Sequence, residues 1–129
     1  MSAFPDVEVL LIAWLVAARP DTVWAAELDN DLLADLPCGQ VVRVGGDDDG
    51  VRLDRALVDV DVYAATRAQA AGIAAWTRAS LTRDLPGQVV AGAVLGRVST
   101  VSAPGWRPYE NTALRRIGAT YEVFFHPAA

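Results

Sequence analysis

The stretch "LVDVDVYA" places Asp59 and Asp61 two positions apart between valines. On a strand, residues i and i+2 project from the same face, so the two carboxylates would lie side by side. Paired carboxylates can hold a divalent cation such as Mg²⁺, but a hard cation site normally takes a further oxygen ligand. The neighbouring strands offer no third carboxylate at a matching position. The alternation carries its own explanation: Val58, Val60 and Val62 pack inward, while Asp59, Asp61 and Tyr63 face water or a partner. The sequence therefore points to a wet, structural or interface face, with a metal-dependent enzyme as the weaker reading.

The remaining chemistry-bearing residues form no reactive set. Cys38 is the one cysteine, which leaves no intrachain disulfide and no cysteine-based zinc site. His126 is the one histidine and stands close to the end of the sequence, where it reads as the end of a strand. "GGDDDG" (45–50) lacks the spaced ligands and closing glutamate of a calcium loop, and "VGG" lacks the Walker spacing. The expectation is a solvated hairpin tip carrying Asp47, Asp48 and Asp49. "APGWRPYE" places Trp106, Arg107 and Tyr109 in an expected loop. Large aromatics there either fold back onto the domain or anchor a protein contact. No catalytic residue, metal or cofactor is expected.

Composition bounds the rest. The chain has 129 residues, 53% hydrophobic and 21% charged, which suits one globular domain over 1–129. Its eleven basic residues are all arginine, a usage that suggests a GC-rich coding genome, and the net charge is −5. An acidic surface with scattered arginines argues against a module that grips nucleic acid, though not against one that DNA merely passes. "VLLIAWLVAA" (9–18) is about half of the ~20 residues a membrane-spanning helix needs. Asp6 and Glu8 before it oppose a signal peptide, so it reads as a buried helix of a soluble cytoplasmic protein with no membrane contact.

The elements that must position these residues follow from periodicity. Val7, Leu10, Leu11, Trp14, Leu15 and Ala18 repeat at helical spacing, with Pro5 in the first turn and Pro20 as the stop. A short strand over "TVWAAEL" follows, with Trp24 placed on the face away from the helices, then a turn or two of helix before Pro37. Strands 39–46 and 55–64 pair as an antiparallel hairpin around an acidic loop. Thr66 and Gln69 have capping-box spacing at the start of a second helix, which ends at "LPG". Its core face carries Ala70, Ile73, Thr77 and Leu81. Strands over 93–102 and 115–127 complete the chain, with Ile117, Ala119, Tyr121, Val123 and Phe125 on one side. The expected fold is α+β: a largely antiparallel sheet of four to five strands with two main helices on one face.

Four blocks together carry a family resemblance. They are "FPDVEVLLIAWL", the "LP" followed by "VVRVGG", "LDRALVDVDVYAATRAQA", and "RRIGATYEVFFHP" after an aromatic loop. In these the chain resembles the tail terminator (tail completion) proteins of long-tailed bacteriophages. Ala56 departs from the pattern, where proline is expected after "LDR". The resemblance implies a virion subunit, assembled in the host cytoplasm, that forms a homohexameric ring at the head-proximal end of the tail tube. It would stop tube growth, dock to the head–tail connector protein, contact the major tail tube protein and let DNA pass without specific binding. A ring needs two different patches per subunit. Candidates are Asp59, Asp61 and Tyr63 and the loop Trp106, Arg107 and Tyr109, with Arg67, Arg78 and Arg115 as charge partners. Asp47, Asp48 and Asp49 are candidates for the lining of the DNA channel. A head-closure or connector ring is the nearest alternative, followed by the metal-dependent enzyme.

Overall fold

In the computed structural model, residues 4–128 are described. Helix α1 spans Val7–Ala18 and is capped by Asp6, whose carboxylate accepts the Glu8 N–H at 2.9 Å. Pro5 therefore precedes the cap and is not in the first turn. Val7, Leu10, Leu11 and Leu15 are buried and Trp14 half-buried. The expected stripe stops at Leu15. Ala18 is exposed, because the chain caps on the Leu15 carbonyl through the Arg19 N–H and then turns away at Pro20.

The sheet has six strands: β1 (Val23–Ala25), β2 (Cys38–Asp48), β3 (Asp54–Ala64), β4 (Val89–Val90), β5 (Ala93–Trp106) and β6 (Arg115–Pro127). Their order is β1-β2-β3-β6-β5-β4. The β1–β2 pair is parallel and every other pair antiparallel. The strand beyond the expected four to five is β4, too short to leave a periodic signal. Helix α2 (Arg67–Ala79) follows β3 directly. Thr66 Oγ1 accepts the Gln69 N–H at 3.2 Å, as the capping spacing requires. A wider turn over Ser80–Asp84 prolongs it, and Trp14 Nε1 donates to Ser80 Oγ at 2.9 Å, joining the two helices.

Both helices pack on one face of the sheet. Val58, Val60 and Val62 of β3 and Ile117, Ala119, Tyr121, Val123 and Phe125 of β6 are buried beneath them. Each of the valine, isoleucine and phenylalanine side chains contributes roughly 1.5–3 kcal/mol relative to leaving it in water. Trp24 belongs to this core and not to the opposite face. Its ring lies over Gly39 of β2, where a Cβ would collide with it, and stands 6.5 Å from the Trp76 ring of α2. Glycine at 39 makes the room.

Two expected loops begin as strand. The β2–β3 ladder runs from Cys38↔Tyr63 to Asp48↔Asp54, with an irregularity between Arg43 and Gly45. Only 49–53 form the turn. Gly46, at φ +110°, permits this register, since a Cβ there would strike the Arg55 carbonyl. Likewise β5 continues through "APGW" to Trp106, pairing Gly105 with Gly118 and Trp106 with Ile117. The face away from the helices is also less wet than the alternation implies. Cys38, Tyr63 and Leu114 are buried there beneath Leu28, Leu32, Leu36 and Tyr109. The segments 28–36 and 109–114 supply apolar surface that local periodicity does not register.

Candidate functional site

The register of β3 against β6 brings Asp59, Asp61 and Tyr63 beside Thr120, Gly118 and Arg116. Arg107, just past the end of β5, reaches over this row. Its Nη1 donates to Asp61 Oδ1 at 2.9 Å and lies 3.7 Å from Asp59 Oδ2. Thr120 Oγ1 donates to the other oxygen of Asp59. The Asp61 side chain is only 16% exposed. Burial raises its pKa, opposed by the guanidinium groups of Arg107 and Arg116. The aspartates are therefore an internal anchor for the loop after β5, not a free wet face. A guanidinium occupies the place a divalent cation would need.

Gly118 makes this arrangement possible. A Cβ there would overlap Asp61 Oδ1 and stand 2.7 Å from Arg107 Cδ. The sequence carries a signal for it, a glycine inside the alternating strand "RRIGATYEVFF", which marks close approach. Arg116, also absent from the sequence-derived site, clamps the same loop. Its Nε donates to the Arg107 carbonyl at 3.2 Å and its Nη2 to the Pro108 carbonyl at 3.1 Å. Its guanidinium lies 5.1 Å from the Tyr109 ring centroid, and Tyr109 meets Tyr63 edge-on at 5.5 Å. Burial raises the Tyr63 pKa. Arg67, at the start of α2, stacks 5.0 Å from the Trp106 ring. Trp106 keeps 40% of its surface exposed and pairs with Ile117, whose side chain faces the helices, so this pair lies across the sheet from the Asp59–Arg107–Asp61 row.

Five of the sequence-derived candidates thus meet on the face away from the helices, Asp59, Asp61, Tyr63, Arg107 and Tyr109, while Arg67 and Trp106 form a separate pair on the helix side. Arg115 turns to the neighbouring loop, donating to the Thr112 and Leu114 carbonyls at 2.7 and 3.1 Å. Arg78 stands apart, on α2 beside a groove.

The acidic tip forms a separate locus. Asp47 pairs with Arg55 at 2.7 Å, and Arg55 continues to Glu122 at 2.8 Å. This contact lowers the Asp47 pKa. Asp48 Oδ1 accepts the Gly50 N–H at 2.7 Å. Asp49 Oδ1 accepts the N–H groups of Val51, Arg52 and Leu53 at 2.9, 2.8 and 3.0 Å, which lowers its pKa. Behind the tip, Arg43 binds Asp54 through two nitrogens at 2.9 and 2.8 Å. Arg52 Nη2 lies 2.9 Å from His126 Nδ1, so the one histidine sits against a cation and not against a nucleophile. Among the described residues, no three His, Cys, Asp or Glu side chains gather as a metal-binding group.

No protein-family model matches the chain, and none of the curated proteins does. Among solved structures, a chain from the virion of a native gene transfer agent particle is similar to it. The TM-score is 0.58 at 19% identity, covering 88% of this chain and 85% of that one. At that identity the likeness is one of fold.

Proposed function

We propose that this chain is a structural subunit of a phage-like virion, acting as a tail terminator. In this reading it forms a homohexameric ring on the head-proximal end of the tail tube, arrests tube growth and offers the surface that receives the head connector. The observation that carries the reading is the fold shared with a virion chain over most of both lengths. The four sequence blocks that resemble tail terminators supply the finer assignment.

The side-chain arrangement fits a contact role better than a chemical one. Arg107 holds the loop onto the Asp59–Asp61 row, and Arg116, on the same face, binds the loop's backbone at Arg107 and Pro108. Trp106, the last residue of β5 and just before this loop, is an exposed aromatic fixed by its strand pairing and stacked with Arg67 on the helix side. Aromatic and arginine side chains held rigid before binding are the usual anchors of protein contacts. The tube protein or the connector is the partner assigned to this patch. The hairpin tip with Asp47, Asp48 and Asp49 is assigned to the channel rim, where negative charge keeps DNA from adhering.

Electron microscopy of the purified protein mixed with growing tubes of its cognate tail protein tests this. Rings seated on one end with elongation arrested are expected. Tubes that keep growing, with the protein instead bound to the head portal, would transfer the assignment to a head-side connector. The metal-enzyme alternative predicts Mg²⁺-dependent thermal stabilisation lost in Asp59→Asn/Asp61→Asn. With Arg107 between the carboxylates, no such stabilisation is expected.

A further inference from the structure

Two concave patches on the molecule have matching chemistry and are placed so that only different copies can bring them together. One is a groove of about 750 Å³ between α2 and the outer half of β5. Ala71 and Ala75 of α2 and Pro104 of β5 give it a small, apolar floor, and Arg78 and Arg83 stand on its rim. Both arginines are exposed. Neither guanidinium has an ion-pair or hydrogen-bond partner among the described residues, whereas Arg43, Arg55 and Arg107 are each engaged by carboxylates.

The other patch is a depression of about 320 Å³ beside β1, lined by Glu27, Leu28, Asp29, Leu32 and Asp35. Asp31 stands in the same turn, its backbone N–H bonded to Asp29 Oδ1 at 3.0 Å. None of these four carboxylates has a cationic partner among the described residues. Leu33 is half exposed in their midst, and so is Val23 on the adjoining strand.

The placement decides what can fill the groove. In the sheet, β1 and the β5–β4 pair lie at opposite edges. The groove opens on the helix side. The acidic segment packs on the other side, where Leu28 and Leu32 cover Cys38 and Tyr63. Two unlike, complementary patches at opposite edges make a head-to-tail contact, which closes into a ring if the rotation allows. A two-fold dimer would instead need one self-complementary patch. We infer that the Arg78–Arg83 groove is the seat for the acidic segment 27–35 of a second copy of this chain, with Leu33 over the alanine floor and Asp29 and Asp31 facing the arginines. This deepens the proposed ring and rests on it. Exposed charge pairs of this kind set register and encounter more than affinity, and they weaken with salt.

Charge swapping tests the inference by sedimentation velocity in low salt. The parent chain is expected to self-associate and to dissociate as salt rises. Arg78→Glu/Arg83→Glu and Asp29→Arg/Asp31→Arg should each be monomeric, and an equimolar mixture of the two should associate again. A parent that stays monomeric at its highest soluble concentration overturns the inference. So does a variant that associates like the parent, a mixture that stays apart, or a groove variant that loses only duplex-DNA binding. Thermal melts check folding, and Arg78→Gln/Arg83→Gln, expected to weaken association at least about tenfold, replaces the glutamate variant if that one fails to fold. The same variants in the tube-capping assay separate the two proposals. A parent that caps tubes without this contact leaves the terminator reading standing and sinks the interface. One that associates through it yet leaves tubes growing does the reverse.

Discussion

Asp61 is a carboxylate held by its surroundings in a state it would not choose alone. Burial pushes its pKa above the unfolded value, and Arg107 offsets only part of that cost. A carboxyl with a raised folded pKa favours the fold below its unfolded pKa. That contribution is lost as pH rises from the unfolded value through the folded one. Asp61→Asn should therefore be at least as stable as the parent at neutral pH, with the difference vanishing in acid. Arg107→Ala should lose about 1–3 kcal/mol, because a largely buried carboxylate is left without its donor. The double variant should recover most of that loss. Urea denaturation across a pH series reads all three, and a double variant no better than Arg107→Ala would refute the account. Gly118→Ala attacks the same pair sterically and should cost about 1–3 kcal/mol. The same urea titration reads this loss.

At the scale of elements, the long periodic segments were legible and the contacts between them were not. Both helices, β3 and β6 follow from spacing alone, because each buries one stripe or one side against a single core. The direction of Trp24 does not, since it depends on Gly39 in another strand leaving room for the ring. Neither does the Asp59–Arg107–Asp61 contact, whose members are distant in sequence and meet only through the β3–β6–β5 order. The sequence could name Asp61, Arg107 and Tyr109 as unusual. It could not say that they satisfy one another. The β2–β3 hairpin shows the same limit: "GGDDDG" has loop composition, yet its first half is strand because Gly46 tolerates a positive φ beside Arg55. The turn itself depends on Asp49, which accepts three N–H groups. Asp49→Ala should speed amide exchange at Val51, Arg52 and Leu53 while leaving β6 protected. Asp49→Asn, which keeps an acceptor oxygen, should change it far less. Equal acceleration in both variants would refute the capping role.

For the whole molecule, the question is what field the hairpin tip presents to DNA in the proposed channel. Asp47, Asp48 and Asp49 are not alone there. Arg55 pairs with Asp47, and the backbone of Arg52 is bound to Asp49 while its side chain reaches His126. Three carboxylates against two guanidinium groups leave the tip mildly negative. A duplex passing such a rim is repelled weakly and finds no run of free cations to release its counterions. Asp47→Asn/Asp48→Asn/Asp49→Asn would do more than remove a repulsive charge. It would leave Arg52 and Arg55 at the rim with only Glu122 as a counterweight to Arg55. The expected result is a particle of normal assembly whose DNA ejection is slowed, most at low salt, with the defect relieved as ionic strength rises. Replacing Arg52 by Gln in the same background should restore much of the rate by removing a cation. Ejection measured on purified particles decides it. Unchanged ejection in the triple variant at every salt concentration would remove the tip from the channel, and a defect that salt does not relieve would assign it to assembly instead.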